Sequence, residues 1–122
     1  MPIYKLKSFA RFARAEDIDD GSLAEAVERV ARGLIDADLG GGLIKQRVAR
    51  KGRGRRGGYR VMVAFRAADF AVFLFGFAKS AQANLDDRQL TMLRGFAAAW
   101  LTADAKTIRQ ALEQGELVEV SR

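Results

Sequence analysis

Apolar positions along this chain change their spacing several times, and each change marks an element. Residues 3–6 read as a short first strand. Phe9, Phe12 and Ala13 then fall at helical spacing and predict a helix over 7–15, broken by Asp17, Asp19, Asp20 and Gly21. A second helix is expected to start at Ser22, because Ser22 and Glu25 have the spacing of a capping box. Leu23, Ala26, Val27, Val30, Ala31 and Leu34 form its apolar stripe, with Glu25 and Arg29 four apart on the solvent side. Gly40, Gly41 and Gly42 end this region as a turn.

Three strand-like segments follow. Residues 43–49 form the first. Residues 59–66 form the second, with Tyr59, Val61, Val63 and Phe65 alternating onto one face. Residues 70–78 form the third, apolar on both faces and therefore expected to be central and covered on both sides. The short connection at 66–69 suits an antiparallel hairpin. A long helix over 86–102 carries Leu90, Leu93, Phe96, Ala97, Trp100 and Leu101 as its stripe, and Asp86 and Asp87 favour its positive N-terminal end. Asp104 caps a last helix running to Gln114, where Gly115 stops it. Residues 117–120 alternate as an edge strand. The order β-α-α-β-β-β-α-α gives an α+β fold, a small antiparallel sheet packed against N-terminal helices and a C-terminal helix. With no repeat and no Pro- or Ser-rich linker, 1–122 reads as one domain, with 104–122 as a C-terminal extension.

Composition narrows the chemistry. The chain has no cysteine and no histidine. Thiol chemistry, His-based nucleophile systems and Cys/His zinc sites are thereby set aside, and no metal or other cofactor is expected. No apolar run is long enough to span a bilayer or to serve as a signal peptide, so a cytoplasmic protein without a membrane partner is expected. The net charge is +6, and it is segregated. Residues 39–68 hold no acid but nine of the 21 basic residues, while the other 12 face all 15 acidic ones. One segment therefore carries the footprint of a polyanion-binding surface.

That segment, KQRVARKGRGRRGGYR over 45–60, holds the candidate site. Lys45 and Arg47 are two apart on a strand and share a face. Arg60 has the opposite parity to Tyr59, Val61 and Val63. If those three face the core, a hairpin register brings Lys45, Arg47 and Arg60 together on an exposed sheet face. Between the strands, Arg50, Lys51, Arg53, Arg55 and Arg56 alternate with glycines that let the backbone approach a phosphate. Tyr59 beside them is a candidate for stacking or hydrogen bonding. Such a surface binds nucleic acid with strong salt dependence. It could also cleave RNA, which carries its own nucleophile in the 2′-hydroxyl. Lys and Arg supply the electrostatic stabilisation, and a lysine crowded by other cations gives up its proton more readily, making Lys45 the candidate general base. On residues alone, binding stands ahead of catalysis. Trp100 and the Phe73, Phe75 and Phe77 row read as core, and Lys79 as either a strand-end residue or a member of the cluster.

At these residues the sequence resembles the RelE/HigB superfamily of type II toxin-antitoxin toxins, with closest similarity to a HigB-like branch. The phrases GLIDADLGGGLIKQRVARKGRGRRGGYRVMVAF and FLFGFAKSAQANL, spanning 33–85, carry the likeness. The resemblance implies a ribosome-dependent endoribonuclease (an mRNA interferase) that cuts mRNA in the decoding site, with the ribosome and mRNA as partners. It also implies a cognate antitoxin, often a helix-turn-helix repressor. The family's basic catalytic residues match Lys45, Arg47, Arg60 and Lys79. Some members carry a functional tyrosine shortly after the last of these; Asn84, Asp86 and Asp87 occupy that region here. A non-catalytic RNA- or DNA-binding protein, and a ParE-like inhibitor of DNA gyrase, are the competing readings.

Overall fold

The computed structural model describes residues 1–49, 58–67 and 69–121. Its elements are β1 (Ile3–Leu6), α1 (Lys7–Ala15), α2 (Asp20–Ala31), β2 (Ala37–Asp38), β3 (Leu43–Val48), β4 (Tyr59–Arg66), β5 (Phe70–Ala78), α3 (Asp87–Leu101), α4 (Ala105–Glu113) and β6 (Leu117–Glu119). The six strands form one sheet in the order β2-β3-β4-β5-β1-β6. Strand β1 is parallel to β5, and every other neighbouring pair is antiparallel. The fold is α+β, as the pattern of alternating and helical segments predicts. The sheet is mixed rather than purely antiparallel, because β1 enters between β5 and β6.

The sheet separates two cores. On one face, Phe9 and Ala13 of α1 and Leu23, Val27 and Val30 of α2 pack on Ile44, Val48, Tyr59, Val61, Val63 and Phe73. On the other, Leu93 and Ala97 of α3 and Ala111 of α4 pack on Leu43, Met62, Ala64, Val72, Leu74 and Leu117. Residues 104–121 are integrated: β6 pairs with β1, and α4 packs into the second core. Strand β5 lies between β4 and β1 and is buried over most of its length.

Several local expectations shift. Helix α2 begins at Asp20, and its cap is Asp19, whose carboxylate accepts from the Ser22 N–H at 2.8 Å. Glu25 holds Arg29, taking its Nε on both oxygens at 2.9 Å, and Arg29 is buried rather than on the solvent side. Ala31 and Leu34 lie outside the buried stripe, and Leu34 is 58% exposed, because α2 ends at Ala31 before the periodicity can bring it inward. Strand β2 is only two residues long, too short for a pattern to show. In α3, Asp86 and Gln89 form a reciprocal capping box, while Phe96 points outward at 44% exposure. The three glycines at 40–42 all have positive φ, which is why that turn takes glycine.

Two contacts yield predictions. A Cβ at Gly76 would lie 2.5 Å from Cε2 of Phe12 and 3.1 Å from Cε1 of Phe9. Those rings are wedged in place, Phe9 stacked on Phe73 at 5.2 Å and Phe12 edge-on to Tyr59 at 6.0 Å. Gly76→Val should therefore overpack the α1 seat and cost roughly 1–3 kcal/mol, read as a lowered denaturant midpoint with an unchanged m-value. Asp104 caps α4, and hydrogen bonding from the Thr107 backbone N–H, then from its side chain, holds its carboxyl below the ordinary carboxylate value. A carboxyl depressed in the folded state stabilises above its unfolded value and loses that contribution as pH falls through the folded one. Asp104→Asn keeps a good cap, so melts between about pH 5 and pH 2 should show a shallower acid decline in the variant than in the native chain.

Candidate nucleic-acid interface

The β3–β4 hairpin fixes which cations meet. Its register sets Lys45 opposite Met62, and Arg47 directly opposite Arg60. Leu43 of β3, and Met62 and Ala64 of β4, belong to the α3-side core, while Ile44, Val48, Val61 and Val63 belong to the other. By pleat alternation, Lys45, Arg47 and Arg60 all lie on the α3-side face. Directly opposed residues of an antiparallel pair have Cα atoms about 4.5–5.5 Å apart. The next strand sets Phe77 opposite Arg60. Lys79 follows β5 in phase with Phe77, and its N–H donates to the Gly58 carbonyl at 3.0 Å. Register and pleat thus put Lys45, Arg47, Arg60 and Lys79 on one sheet face, while the Arg47 guanidinium turns to the sheet edge, where Asp36 and the α2 residues Glu25 and Arg29 lie.

Their surroundings differ. Arg47 is exposed, Lys79 is exposed and Lys45 is half-buried. Arg60 departs from the expected water-facing position: it is only 6% exposed, with Arg47 on one side of it and the buried Phe77 on the other. Its NH1 reaches the Tyr59 carbonyl at 3.4 Å, and no carboxylate among the described residues pairs with it. A buried cation facing another cation across a strand pair is a costly arrangement that an anionic ligand would relieve. Arg47 is partly balanced, its Nε lying 2.9 Å from Oδ1 of Asp36.

Tyr59 is not at this surface. Its ring is buried on the opposite face against Phe12, and its hydroxyl donates to the Glu16 carbonyl at 3.2 Å. Strand alternation accounts for this: Tyr59 has the parity of Val61 and Val63, so the face that takes those two takes the ring. Arg50, Lys51, Arg53, Arg55 and Arg56 lie outside the described residues.

Sequence reasoning missed three polar residues beside Arg47. Gln46 is completely buried, Asp36 pairs with Arg47, and the Arg29 guanidinium donates to the Arg47 carbonyl. The signal available was Gln46 itself, an amide at a core-facing parity between two valine- and isoleucine-bearing positions. Among the described residues, concavities border the sheet at two places. One of about 690 Å³ runs beside Arg47, with Arg29, Arg32, Leu34, Ile35 and Asp36 in its walls. The other, of about 390 Å³, lies at the far end of β4, where Arg66 is already paired with Asp69 at 2.7 Å and placed over the Phe70 ring at 5.2 Å. That second cleft is remote from the cationic cluster. Among the described residues no group of carboxylates could hold a metal ion, and no helix is long and apolar enough to cross a membrane.

If Arg60 is held as a cation at a cost to the fold, replacing it with an apolar residue of similar length should not destabilise the chain. Arg60→Met is expected to melt at the native temperature or a few degrees above it, as followed by circular dichroism.

The family model described as RelE toxin of RelE / RelB toxin-antitoxin system matches residues 1–120. Among curated proteins, none matches the chain.

Proposed function

The chain belongs to the RelE family of toxin-antitoxin toxins, and from that premise we propose that it is a ribosome-dependent mRNA endonuclease with Lys45, Arg47, Arg60 and Lys79 as its cutting centre. Membership implies a cognate antitoxin. We assign the chain to the HigB-like branch, with a helix-turn-helix repressor as that antitoxin and the cytoplasm as its place of action.

The observation that carries this reading is Arg60, a buried guanidinium directly opposite Arg47 and without a carboxylate partner among the described residues. Cleavage of RNA needs charge stabilisation more than covalent help. The 2′-oxygen attacks the adjacent phosphorus as its proton is removed, and a dianionic phosphorane forms. The P–O5′ bond then breaks, leaving a 2′,3′-cyclic phosphate and a 5′-hydroxyl that has gained a proton. Two guanidiniums, Arg60 withdrawn from water and Arg47 at the exposed edge beside it, stabilise the dianion where it develops. Lys45, two residues from Arg47 on the same face, is the candidate to take the 2′ proton. Lys79, beside the opening of the hairpin, is suited to the leaving oxygen or to the next phosphate. Arg50, Lys51, Arg53, Arg55 and Arg56 supply backbone-gripping charge and contribute salt-dependent affinity. The family's tyrosine has no counterpart at 84–87, so in this reading the acid-base work falls on lysine.

Brief induction followed by primer extension should show cuts in mRNA at ribosome-occupied codons, with growth arrest. Arg60→Ala or Arg47→Ala should each lower cleavage on programmed ribosomes by about 10²–10³-fold, and the Lys45→Ala/Arg47→Ala/Arg60→Ala combination should abolish toxicity while the protein still binds its antitoxin. Arrest with intact mRNA would sink the reading. Salt-dependent RNA binding without cleavage would then favour a non-catalytic binding protein, and DNA damage with an SOS response would favour a ParE-like gyrase inhibitor.

A further inference from the structure

Building on the cutting centre proposed above, we propose that Asp36, clamped by Gln46, is a positioning residue for Arg47. Gln46 lies between Lys45 and Arg47 but faces the other way, into the α2-side core, and is 0% exposed. A buried amide is tolerated only when its donors and acceptor are engaged. Nε2 of Gln46 donates to the Ala26 carbonyl at 3.2 Å and to the Leu34 carbonyl at 3.1 Å. Its Oε1 accepts from the Asp36 N–H at 2.7 Å. The three bonds fasten α2, the segment 34–36 and β3 to one another. An apolar residue would fill the same space without that tie, so the amide is spent on holding this segment.

The held segment delivers one carboxylate. Asp36 has a mostly covered side chain, and its Oδ1 lies 2.9 Å from Nε of Arg47. The Arg47 carbonyl is bound by the Arg29 guanidinium, which is itself locked by both oxygens of Glu25. Arg47 is therefore fixed at its backbone by one residue and at its side chain by another. A guanidinium carries five N–H donors, more than a single carboxylate can occupy. Asp36 thus sets the plane of the group and leaves donors for a phosphate. It also offsets Arg47 beside Arg60 in the RNA-free protein. The same negative charge opposes an incoming phosphate. Asp36 consequently has opposite effects on the two stages of reaction: it weakens RNA capture and raises the rate of cleavage by holding Arg47 in its working orientation.

The test is kinetics on ribosomes programmed with a short mRNA, using the full chain and its Asp36→Asn, Gln46→Met, Arg47→Ala and Asp36→Asn/Arg47→Ala variants. Asp36→Asn should lower kcat about 10- to 100-fold and also lower KM, because an acid has been removed from the RNA surface. Gln46→Met, which frees Asp36 without removing it, should lower the single-turnover rate constant at saturating toxin, which a reduced active fraction alone does not change, and a native rate constant there overturns the clamp. In single-turnover reactions with excess toxin, Asp36→Asn should add no loss to Arg47→Ala. A merely structural anchor would reduce the active fraction and leave KM alone, so a fall in kcat of Asp36→Asn without a fall in KM overturns the proposal. It is equally overturned by native constants in Asp36→Asn, or by a further loss on the Arg47→Ala background. Full activity in Arg47→Ala would instead overturn the cutting centre, and the positioning role with it. Should Gln46→Met fail to fold, Asp36→Asn, which changes no volume, decides alone.

Discussion

The arrangement on which the rest depends is the pairing of β3 with β4, which sets Arg47 squarely opposite Arg60. Like charges facing each other across a strand pair repel, and burial of one of them removes the water that would screen it. Nothing in that pair favours folding. It persists because the sheet around it is over-determined, with both faces packed by helices and Met62, Val61 and Val63 buried one to three residues from Arg60. The rest of the fold stabilises a local arrangement that is unfavourable by itself and that, in the proposed reading, a phosphate relieves. In the proposed reading, the Arg60 charge, kept where water cannot relax around it, is the resource on which the cutting centre draws.

The same logic explains the contrast between the two ends of the sheet. At the β4–β5 turn, Arg66 has a carboxylate beside it and an aromatic ring beneath it, so its charge is answered within the protein. At the opposite end Arg60 has no described carboxylate, and Arg47 has one that is placed on a single side of its guanidinium. Charge alone would not distinguish these arginines. Their partners do, and the partners are set by strand register and by a loop tied down through Gln46.

Much of the fold was legible in the sequence because its strands and helices carry clean periodicities. Residues 59–66 alternate so regularly that the parity of Arg60 against Val61 and Val63 could be read directly, and the three proposed cations do share a face. The same parity should have removed Tyr59 from the candidate surface, since it lies with the valines. What pattern could not show was depth. Alternation says which face a residue takes, and what packs on that face decides whether it is wet; Arg60 is 6% exposed, a depth its parity does not carry. Tertiary partners were equally out of reach. Asp19 rather than Ser22 caps α2, because the helix starts at Asp20, whose own carboxylate is drawn to Lys5 and to the Ser121 N–H. Asp36 and Gln46 are ten residues apart in the chain and meet only once β2 folds back on β3.

A structure of the chain on a programmed ribosome, with an mRNA whose 2′-hydroxyl at the cut position is methylated, addresses the central claim most directly. The account places the phosphate next to that sugar within about 3 Å of the Arg60 and Arg47 guanidiniums, on the α3-side face of the sheet. A phosphate bound by the 50–57 segment alone, with Arg60 still covered and touching no RNA, would contradict it.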